Sequence, residues 1–590
     1  MIYSLPCSKL LRQCVLSIVL LNVVSAATPG SQTSLPGFIE AAVREGKTKV
    51  VLPPGTYRMD APLLLRELKD IEIDGSNVLL VMNHSDEALK IEKCDNVTVR
   101  GVSLDYDPLP FTQGTIQEVS PDHKTATVVI HEGYPPLGAD LKTAPRHIFD
   151  RSTRRWKDGA NIFASPVIER SADGRTGVVR FSSPQNALEA GDLMAFDRRM
   201  LDPFACIGVK NSGAVTFEDV TLHASPGLAI CVRYGKGQTT LRRVKITPGP
   251  KPVGATEERL LSTNADGANF AYCRKGPLIE ECDFSFMGDD SVNVHGLYLP
   301  VVRVDSPTTL RVVRPGLRSE AVSVIRPGDT LRVMEAETFA VVGRVKVASL
   351  EALKDVGDVT AEEAAKLYPR DAIAKNAALP YTVYRVVTAE PLPQAAPGQW
   401  LDVPDVDCPD YTIRNNYFHD HRARALRLMA NGGVVEGNRI ERIGSAAIQV
   451  GGEIQYWRES GWVETLRISN NHLRDIGVGG DLLLPSSYTP GAIVVCGRTD
   501  RGKPPYYPGN RDIVIEGNDI EGCPLPGIYA YAVTGLSILD NRIARVNLAK
   551  APEAGVGYGL QASGGAARPA IVLGPNVEKA MLKGNKTEQP

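Results

Sequence analysis

The chain has 590 residues and a nearly balanced charge, with 66 Lys and Arg against 68 Asp and Glu. That balance excludes a polybasic nucleic-acid arm and a polyphosphate partner held by bulk charge. Hydrophobic residues make up 43% and charged residues 23% of the chain, as in soluble globular proteins, and its 54 Gly and 42 Pro predict many tight turns between short strands.

Residues 1–26 have the layout of a cleavable secretory signal. Basic residues precede an apolar run that ends in Val24-Ser25-Ala26, and small residues of this kind mark a cleavage site. An uncleaved membrane anchor is the alternative, but an anchor needs roughly 20 apolar residues and this run is shorter. We therefore expect a secreted or periplasmic protein without membrane insertion.

Eight cysteines follow the predicted signal. Their spacing matches no CxxC zinc or redox pattern, and most lie inside apolar runs typical of buried strands. We expect buried free thiols and no metal ligands at Cys94, Cys206, Cys231, Cys273, Cys282, Cys408, Cys496 and Cys523.

A short template recurs along the chain: an apolar residue, two polar or small residues, then Val, Cys or Asn, a polar residue and another apolar residue. Early copies include Phe217 to Leu222 and Ile279 to Phe284, and later copies carry Asn at the fourth position. From Asn416 to Asn585 these asparagines are separated by 22, 33, 47, 23 and 44 residues. Four of these separations are one or two multiples of a period near 22–24, and 33 is one period plus an 11-residue loop.

A period of this size with strand-like alternation predicts a coiled solenoid. Successive coils stack about 4.8 Å apart, so asparagines at one position can form a hydrogen-bonded ladder. Leucine-rich repeats are the competing architecture, but they require a dense LxxLxL strand and a helix in most repeats. The sequence favours an all-β, right-handed parallel β-helix.

The edges and interruptions of the repeat define the domains. Pro36 to Gly46 predicts a short amphipathic helix that covers the open end of the solenoid. Two aperiodic stretches contain short alternating runs, which predict small β-barrel-like inserts. The predicted divisions are the signal at 1–26, the cap and first coils at 27–107, an insert at 108–200, coils bearing the acids at 201–296, a second insert at 297–405 and C-terminal coils at 406–590.

One acid stands one repeat period before a pair of acids. Asp266 precedes Asp289 by 23 residues, and Asp290 directly follows Asp289. The solenoid places these segments on neighbouring coils, with the carboxylates about 5–10 Å apart. Crowded carboxylates perturb each other's pKa values and suit general acid/base chemistry. We expect them in an open groove; turn capping or a structural cation at Asp289 and Asp290 is the alternative.

The stretch NADGANFAYCRKGPLIEECDFSFMGDDSVNVHG, from Asn264 to Gly296, resembles the signature of the family 110 glycoside hydrolases. The segments His421 to Leu426 and Tyr456 to Gly461 are similar to the coils that follow in that family. The family comprises secreted bacterial α-galactosidases that remove terminal α-1,3-linked galactose, including that of the blood group B antigen. A weaker similarity links the chain to the family 28 pectin hydrolases, whose Gly-His-Gly and Arg-x-Lys are not found in the matching coils.

The resemblance implies an exo-acting, inverting hydrolase that needs no cofactor. It implies Asp266 as the general acid and Asp289 with Asp290 as the base side, although the spacing does not decide which carboxylate donates the proton. The expected partner is a glycan with a terminal α-galactose. The candidate substrate-binding residues are Asn264, Asn293, His295, Arg422, Arg424, Glu453, Trp457 and Glu459.

Packing or ladder roles remain open for several of these residues. His295 can cap a turn, Asn264 and Asn293 can belong to a ladder, and Trp457 can pack in a loop. Two other functions also remain open. One is a different β-helix glycosidase or a lyase, and the other is a glycan-binding solenoid without catalysis. The preference for branched or linear α-1,3-galactosides and the oligomeric state, including a homodimer, are not decided by the sequence.

Overall fold

The computed structural model describes residues 34–138, 146–160, 167–197, 204–315, 322–368, 381–392, 394–454, 459–479, 482, 487, 489–497, 507–549 and 568–588. The predicted signal at residues 1–26 and Trp457 lie outside these ranges. Within the described residues, no helix is long and apolar enough to cross a membrane. The strands stack in parallel, and this confirms the β-helix predicted from the repeat.

Each coil contributes one strand to each of three parallel sheets, in the order first, second, third. The first sheet contains Lys49–Val51, Lys69–Asp74, Asp95–Arg100, Val215–Glu218, Thr239–Arg242, Leu278–Glu280, Thr412–Arg414, Gly433–Glu436, Glu464–Ser469, Asn510–Glu516, Val533–Leu539, Val577–Glu578 and Met581–Lys583.

The second sheet contains Gly55–Met59, Val78–Met82, Ser103–Tyr106, Thr221–Leu222, Lys245–Ile246, Asp283–Ser285, Tyr417–His421, Arg439–Ile443, His472–Ile476, Asp519–Cys523, Arg542–Val546 and Lys586–Glu588. The third sheet contains Leu63–Arg66, Leu89–Glu92, Ile207–Lys210, Ile230–Arg233, Ala268–Ala271, Val292–His295, Leu426–Leu428, Ile448–Val450, Ile493–Val495, Ile528–Ala530 and Ile571–Leu573.

The fourth-position asparagines form the expected ladder between the first and second sheets. The Nδ2 of Asn416 donates to the Oδ1 of Asn438 at 2.9 Å, and each later asparagine repeats this bond to the next coil. The sharp bend itself lies one residue earlier, where Asn415 and Asn470 have φ values of 55° and 56°. The ladder amide therefore satisfies the backbone beside a left-handed residue.

The N-terminal helix spans Leu35–Arg44 and is capped by the hydroxyl of Ser34. Its apolar residues Leu35, Ile39 and Ala42 are buried in the same hydrophobic core as the solenoid strands. The predicted cap is confirmed, because this helix packs its apolar side chains against the first described coil.

The first insert is a six-stranded antiparallel sheet in the order Arg146–Phe149, Leu193–Asp197, Phe111–Val119, Thr125–Ile130, Thr176–Arg180 and Val167–Arg170. The second insert is a closed barrel in the order Tyr298–Ser306, Thr309–Pro315, Tyr381–Thr388, Val341–Ala352, Thr330–Met334 and Trp400–Asp402, with a helix at Ala361–Leu367 and a 3-10 turn at Pro404–Val406. Barrel closure is thus confirmed for the second insert, whereas the edge strands of the first insert are not paired with each other among the described residues.

The structure joins none of the eight described cysteines in a disulfide, and all of them are buried. Burial raises the pKa values of Cys282, Cys496 and Cys523 to about 12. These thiols are therefore packed, protonated side chains of the core.

Candidate active site

Two consecutive coils bring the predicted acids together. Asp266 lies two residues before the strand Ala268–Ala271, and Asp290 lies two residues before Val292–His295, which pairs with it in register. The backbone N–H of Gly267 donates to the carbonyl of Asp290 at 2.8 Å. One oxygen from each of Asp266, Asp289 and Asp290 lies within 4.8 Å of the others. The expected proximity of the three carboxylates is confirmed.

The next coil contributes one arginine that contacts Asp289 and another that contacts Asp290. Arg422 donates from Nη2 to Asp289 Oδ1 at 2.7 Å and from Nε to the carbonyl of Gly288 at 2.7 Å. Arg424 donates from Nε and Nη2 to the two oxygens of Asp290, each at 2.8 Å, and from its backbone N–H at 2.9 Å. Both predicted arginines therefore hold the acids in place.

These contacts set the ionisation of Asp290. Burial by itself raises the pKa of its carboxyl group, but the charge of Arg424 and the hydrogen bonds that it donates outweigh burial and hold the pKa below its usual range. Asp290 is therefore ionised at neutral pH. Asp266 receives a different partner, because the amide Nδ2 of Asn269 donates to its Oδ2 at 2.8 Å.

A repeated spacing organises the site. Three adjacent coils carry a polar residue just before a strand of the third sheet and a second polar residue three positions later. The pairs are Asp266 with Asn269, Asp290 with Asn293 and Arg424 with Arg427. The chain bends between the two members of each pair, so both side chains reach the same outer surface. Asn269 and Arg427 are the two site residues that the sequence analysis missed, and this spacing is the signal that identifies them.

Asn269, Asn293, Arg427 and Gln449 stand in one column across adjacent strands of the third sheet, and we call these four residues the polar column. Their neighbours along each strand, such as Val292 and Val294, point into the hydrophobic core because alternate residues of a strand face opposite sides. The column therefore faces outward, beside the acids.

His295 and two glutamates lie at the edge of the column. The Nε2 of His295 is 3.9 Å from Glu459 Oε1, and Arg427 Nη2 lies 2.9 Å from Glu453 Oε1 and 3.2 Å from Glu459 Oε2. Burial lowers the pKa of His295 to about 4, so the imidazole is neutral at neutral pH. The structure therefore brings the predicted residues His295, Glu453 and Glu459 together near Asn293.

Asn264 has a different environment. Its Nδ2 donates to the backbone carbonyls of Pro110 at 3.0 Å and Pro226 at 3.3 Å, which ties the first insert to the coil that carries Asp266. These bonds show a structural function for the amide group, while a contact between Asn264 and substrate stays a prediction.

The acids do not lie in an open groove, contrary to our expectation. Asp266 is 6% exposed, Asp289 is 5% exposed and Asp290 is 1% exposed. The arginines of the following coil cover one side of the acids, and the second insert, which begins at Tyr298 directly after the catalytic coil, packs against the same sheet. The site is nearly enclosed, which strengthens the electrostatic interactions among its charged groups.

The chain is similar to curated α-1,3-galactosidases. Alpha-1,3-galactosidase B of Bacteroides thetaiotaomicron is 25% identical over 91% of this chain and 89% of that protein. Alpha-1,3-galactosidase A of Bacteroides fragilis is 23% identical over 82% of this chain and 75% of that protein. Alpha-1,3-galactosidase B of Akkermansia muciniphila is 23% identical over 86% of this chain and 64% of that protein. No family model matches the chain.

Among solved structures, the catalytic domain of a GH87 alpha-1,3-glucanase in complex with nigerose aligns with a TM-score of 0.40 and 9% identity, covering 95% of this chain and 65% of that one. The curated relatives agree with the resemblance to the family 110 glycoside hydrolases. Over most of its length, the chain is similar to bacterial α-1,3-galactosidases.

Proposed function

We propose that the protein is an exo-acting α-galactosidase that hydrolyses terminal α-1,3-linked galactose from glycans, including blood group B chains. The observation that carries the proposal is the group of three carboxylates, Asp266, Asp289 and Asp290, assembled from two coils and held by two arginines of a third. Glycoside hydrolysis requires such paired carboxylates. The names of the relatives support α-1,3-linked galactose as the substrate.

The near enclosure of the acids supports exo action. A buried site receives the end of a chain, whereas an enzyme that cuts within a polysaccharide needs an open groove. The local charges support a neutral sugar, because Arg422, Arg424 and Arg427 are each already paired with a carboxylate of the protein. This pairing opposes the pectinase-like and lyase alternatives, which act on anionic sugars.

In the proposed inverting reaction, Asp266 protonates the departing glycosidic oxygen. A carboxylate of the Asp289 and Asp290 pair accepts a proton from the water that attacks the anomeric carbon. The contacts of Asp290 support these assignments of acid and base. A carboxyl group whose two oxygens are both paired with arginine is held in the ionised form and is a poor proton donor.

A retaining reaction is the alternative to inversion. A retaining reaction would form a covalent galactosyl intermediate on one aspartate. Proton NMR of the first product separates the two, because inversion releases β-galactose first and retention releases α-galactose first.

The activity is tested by incubating the protein with p-nitrophenyl α-galactoside, α-1,3-galactobiose and B trisaccharide. We expect galactose from the substrates with a terminal α-1,3 linkage, unchanged rates in EDTA and no product from galacturonides. Release of galactose from none of the three would overturn the proposal. Binding of these glycans without hydrolysis would favour the non-catalytic solenoid.

We also propose that the protein is exported by its N-terminal segment. The apolar run that ends in Val24-Ser25-Ala26 supports export. N-terminal sequencing of the protein from its native cell is expected to begin near residue 27, and a protein that retains Met1 would contradict export. Sedimentation equilibrium decides between a monomer and the homodimer that the sequence leaves open.

A further inference from the structure

A buried ionic network lies beside the acids and consists of Arg427, Glu453 and Glu459. One guanidinium nitrogen of Arg427 is within 2.9 Å of Glu453 and 3.2 Å of Glu459. The backbones of the two glutamates are also joined, because the N–H of each donates to the carbonyl of the other at 3.1 and 3.2 Å. The pair therefore forms an antiparallel bridge, and its two carboxylates converge on one cation.

The two glutamates differ in access. The Glu453 side chain is completely buried, while 12% of the Glu459 side chain is exposed. Glu459 also approaches His295, whose neutral imidazole lies 3.9 Å away. Only Glu459 is therefore placed to meet a ligand, and Glu453 can influence a ligand only through Arg427.

A hydrogen-bond acceptor without a donor lies next to the network. Asn293 is in register with Arg427 and is 2% exposed, and none of the described residues donates to its Oδ1. A buried amide oxygen without a partner costs free energy. This oxygen stands on the polar column between the acids and Glu459, so a hydroxyl group of a bound molecule can satisfy it.

We propose that Arg427 is a positioning residue that fixes Glu459 so that Glu459 and Asn293 accept hydrogen bonds from hydroxyl groups of the terminal sugar. The inference rests on the proposed function and deepens it by naming the residues that select a neutral, polyhydroxylated ring. Arginine suits this position because its planar group can pair with two carboxylates at once. Without that cation, Glu453 and Glu459 would repel each other.

Glu453→Gln is the sharpest test, because it preserves side-chain volume and alters a group that cannot reach the sugar. We expect the KM for α-1,3-galactobiose to rise about tenfold while kcat changes less than about threefold, since the lost contacts bind substrate and transition state alike. Arg427→Met should raise KM at least as far, and Arg427→Lys should recover part of the loss. Glu516→Gln, in an ion pair with Arg467 on the first sheet, is the matched control.

The outcomes separate the two proposals. If the parent protein releases galactose and Glu453→Gln keeps the parental KM, the positioning role is overturned and the α-galactosidase stands. A fall in kcat at constant KM would also overturn the role. If Arg427→Met does not fold, Glu453→Gln decides. A parent protein that releases no galactose overturns the proposed function and this inference with it.

Discussion

Arg424 controls the charge of Asp290 through three hydrogen bonds, two from its side chain and one from its backbone. Burial raises the pKa of Asp290, and Arg424 more than compensates, so that the net pKa is lowered. The carboxylate on the base side of the reaction is therefore kept ionised by a residue that need not contact the substrate.

Arg424→Gln removes this cation, so the pKa of Asp290 should rise. Because the ionised form of Asp290 serves as base, the acid limb of the kcat/KM profile should move to higher pH. Arg467→Gln, on an exposed pair of the first sheet, should leave the profile in place. An unchanged acid limb in Arg424→Gln would contradict the assignment of Asp290 to the base side.

His421 links the catalytic coils through a neutral imidazole. Its Nε2 lies 2.6 Å from Ser291 Oγ, and its Nδ1 lies 2.6 Å from the carbonyl of Arg422. Burial lowers the pKa of His421 to about 4. In this arrangement Nδ1 donates to the carbonyl and Nε2 accepts from the hydroxyl, so the neutral ring is fully bonded between Ser291 and the residue that binds Asp289.

The lowered pKa makes folding stability depend on pH. The unfolded histidine binds a proton below about pH 6.5 while the folded one does not until about pH 4. The free energy of unfolding should therefore fall as pH drops through this window, by up to roughly 3 kcal/mol from His421. His421→Asn should flatten the dependence by about one proton in urea unfolding between these pH values. Equal slopes in both proteins would refute the buried neutral histidine.

At the scale of the element, the asparagine ladder holds one corner of each C-terminal coil. Asn471 is fully buried, and its Nδ2 donates to Val435 at 3.1 Å and to Asn518 at 2.9 Å. Its Oδ1 accepts from the backbone and side chain of Asn438 at 3.0 and 2.9 Å. One side chain thereby satisfies groups on the coils before and after it.

Asn471→Ala should destabilise the protein by about 2–4 kcal/mol, because it leaves buried donors and acceptors without partners. Asn585→Ala removes the last rung of the same ladder, where the residue is half-buried and water can replace it, and should cost about 1 kcal/mol. Urea unfolding of both variants measures the difference. Equal costs would contradict the view that the interior rungs stabilise the corner.

The asparagine ladder and the acids on neighbouring coils show what the sequence could predict. Repeat length and alternation identified the coils, and one period between Asp266 and Asp289 sufficed to bring the carboxylates together. Asn269 lies one period before Asn293, so spacing could identify it, whereas Arg427 required the strand register across the second insert. The open groove was wrongly predicted, because the burial of the acids depends on side chains such as Arg422 and Arg424, which long-range packing brings from another coil.

At the scale of the whole molecule, the buried side chain of Arg332 anchors the barrel to the solenoid. Arg332 is 1% exposed; its Nε donates to Asp402 at 2.9 Å, and its Nη2 donates to the carbonyl of Trp462 at 2.7 Å. Arg332 Nη1 also reaches Glu464 at 3.1 Å. These bonds connect two barrel strands with the segment that follows Glu459, and so with the wall of the site.

Arg332→Met should cost about 3–5 kcal/mol, because it leaves Asp402 buried without its cation. Arg344→Met is the matched control, since Arg344 pairs with the same Glu464 but is 41% exposed, and its loss should cost less than about 1 kcal/mol. Thermal unfolding compares the two. If Arg332→Met is about as stable as the parent protein, the barrel is not held by the contacts of Arg332.

The fold brings acids from two coils and arginines from a third together at one buried site. The most direct test is the rate of galactose release from α-1,3-galactobiose by Asp266→Asn, Asp289→Asn and Asp290→Asn, each beside Asp219→Asn, an exposed acid of the solenoid. We expect each of the three variants to lower kcat by about 10²–10⁴-fold in a folded protein, while Asp219→Asn retains full activity. Parental rates in any of the three variants would contradict the role of that carboxylate, and parental rates in all three would contradict the site.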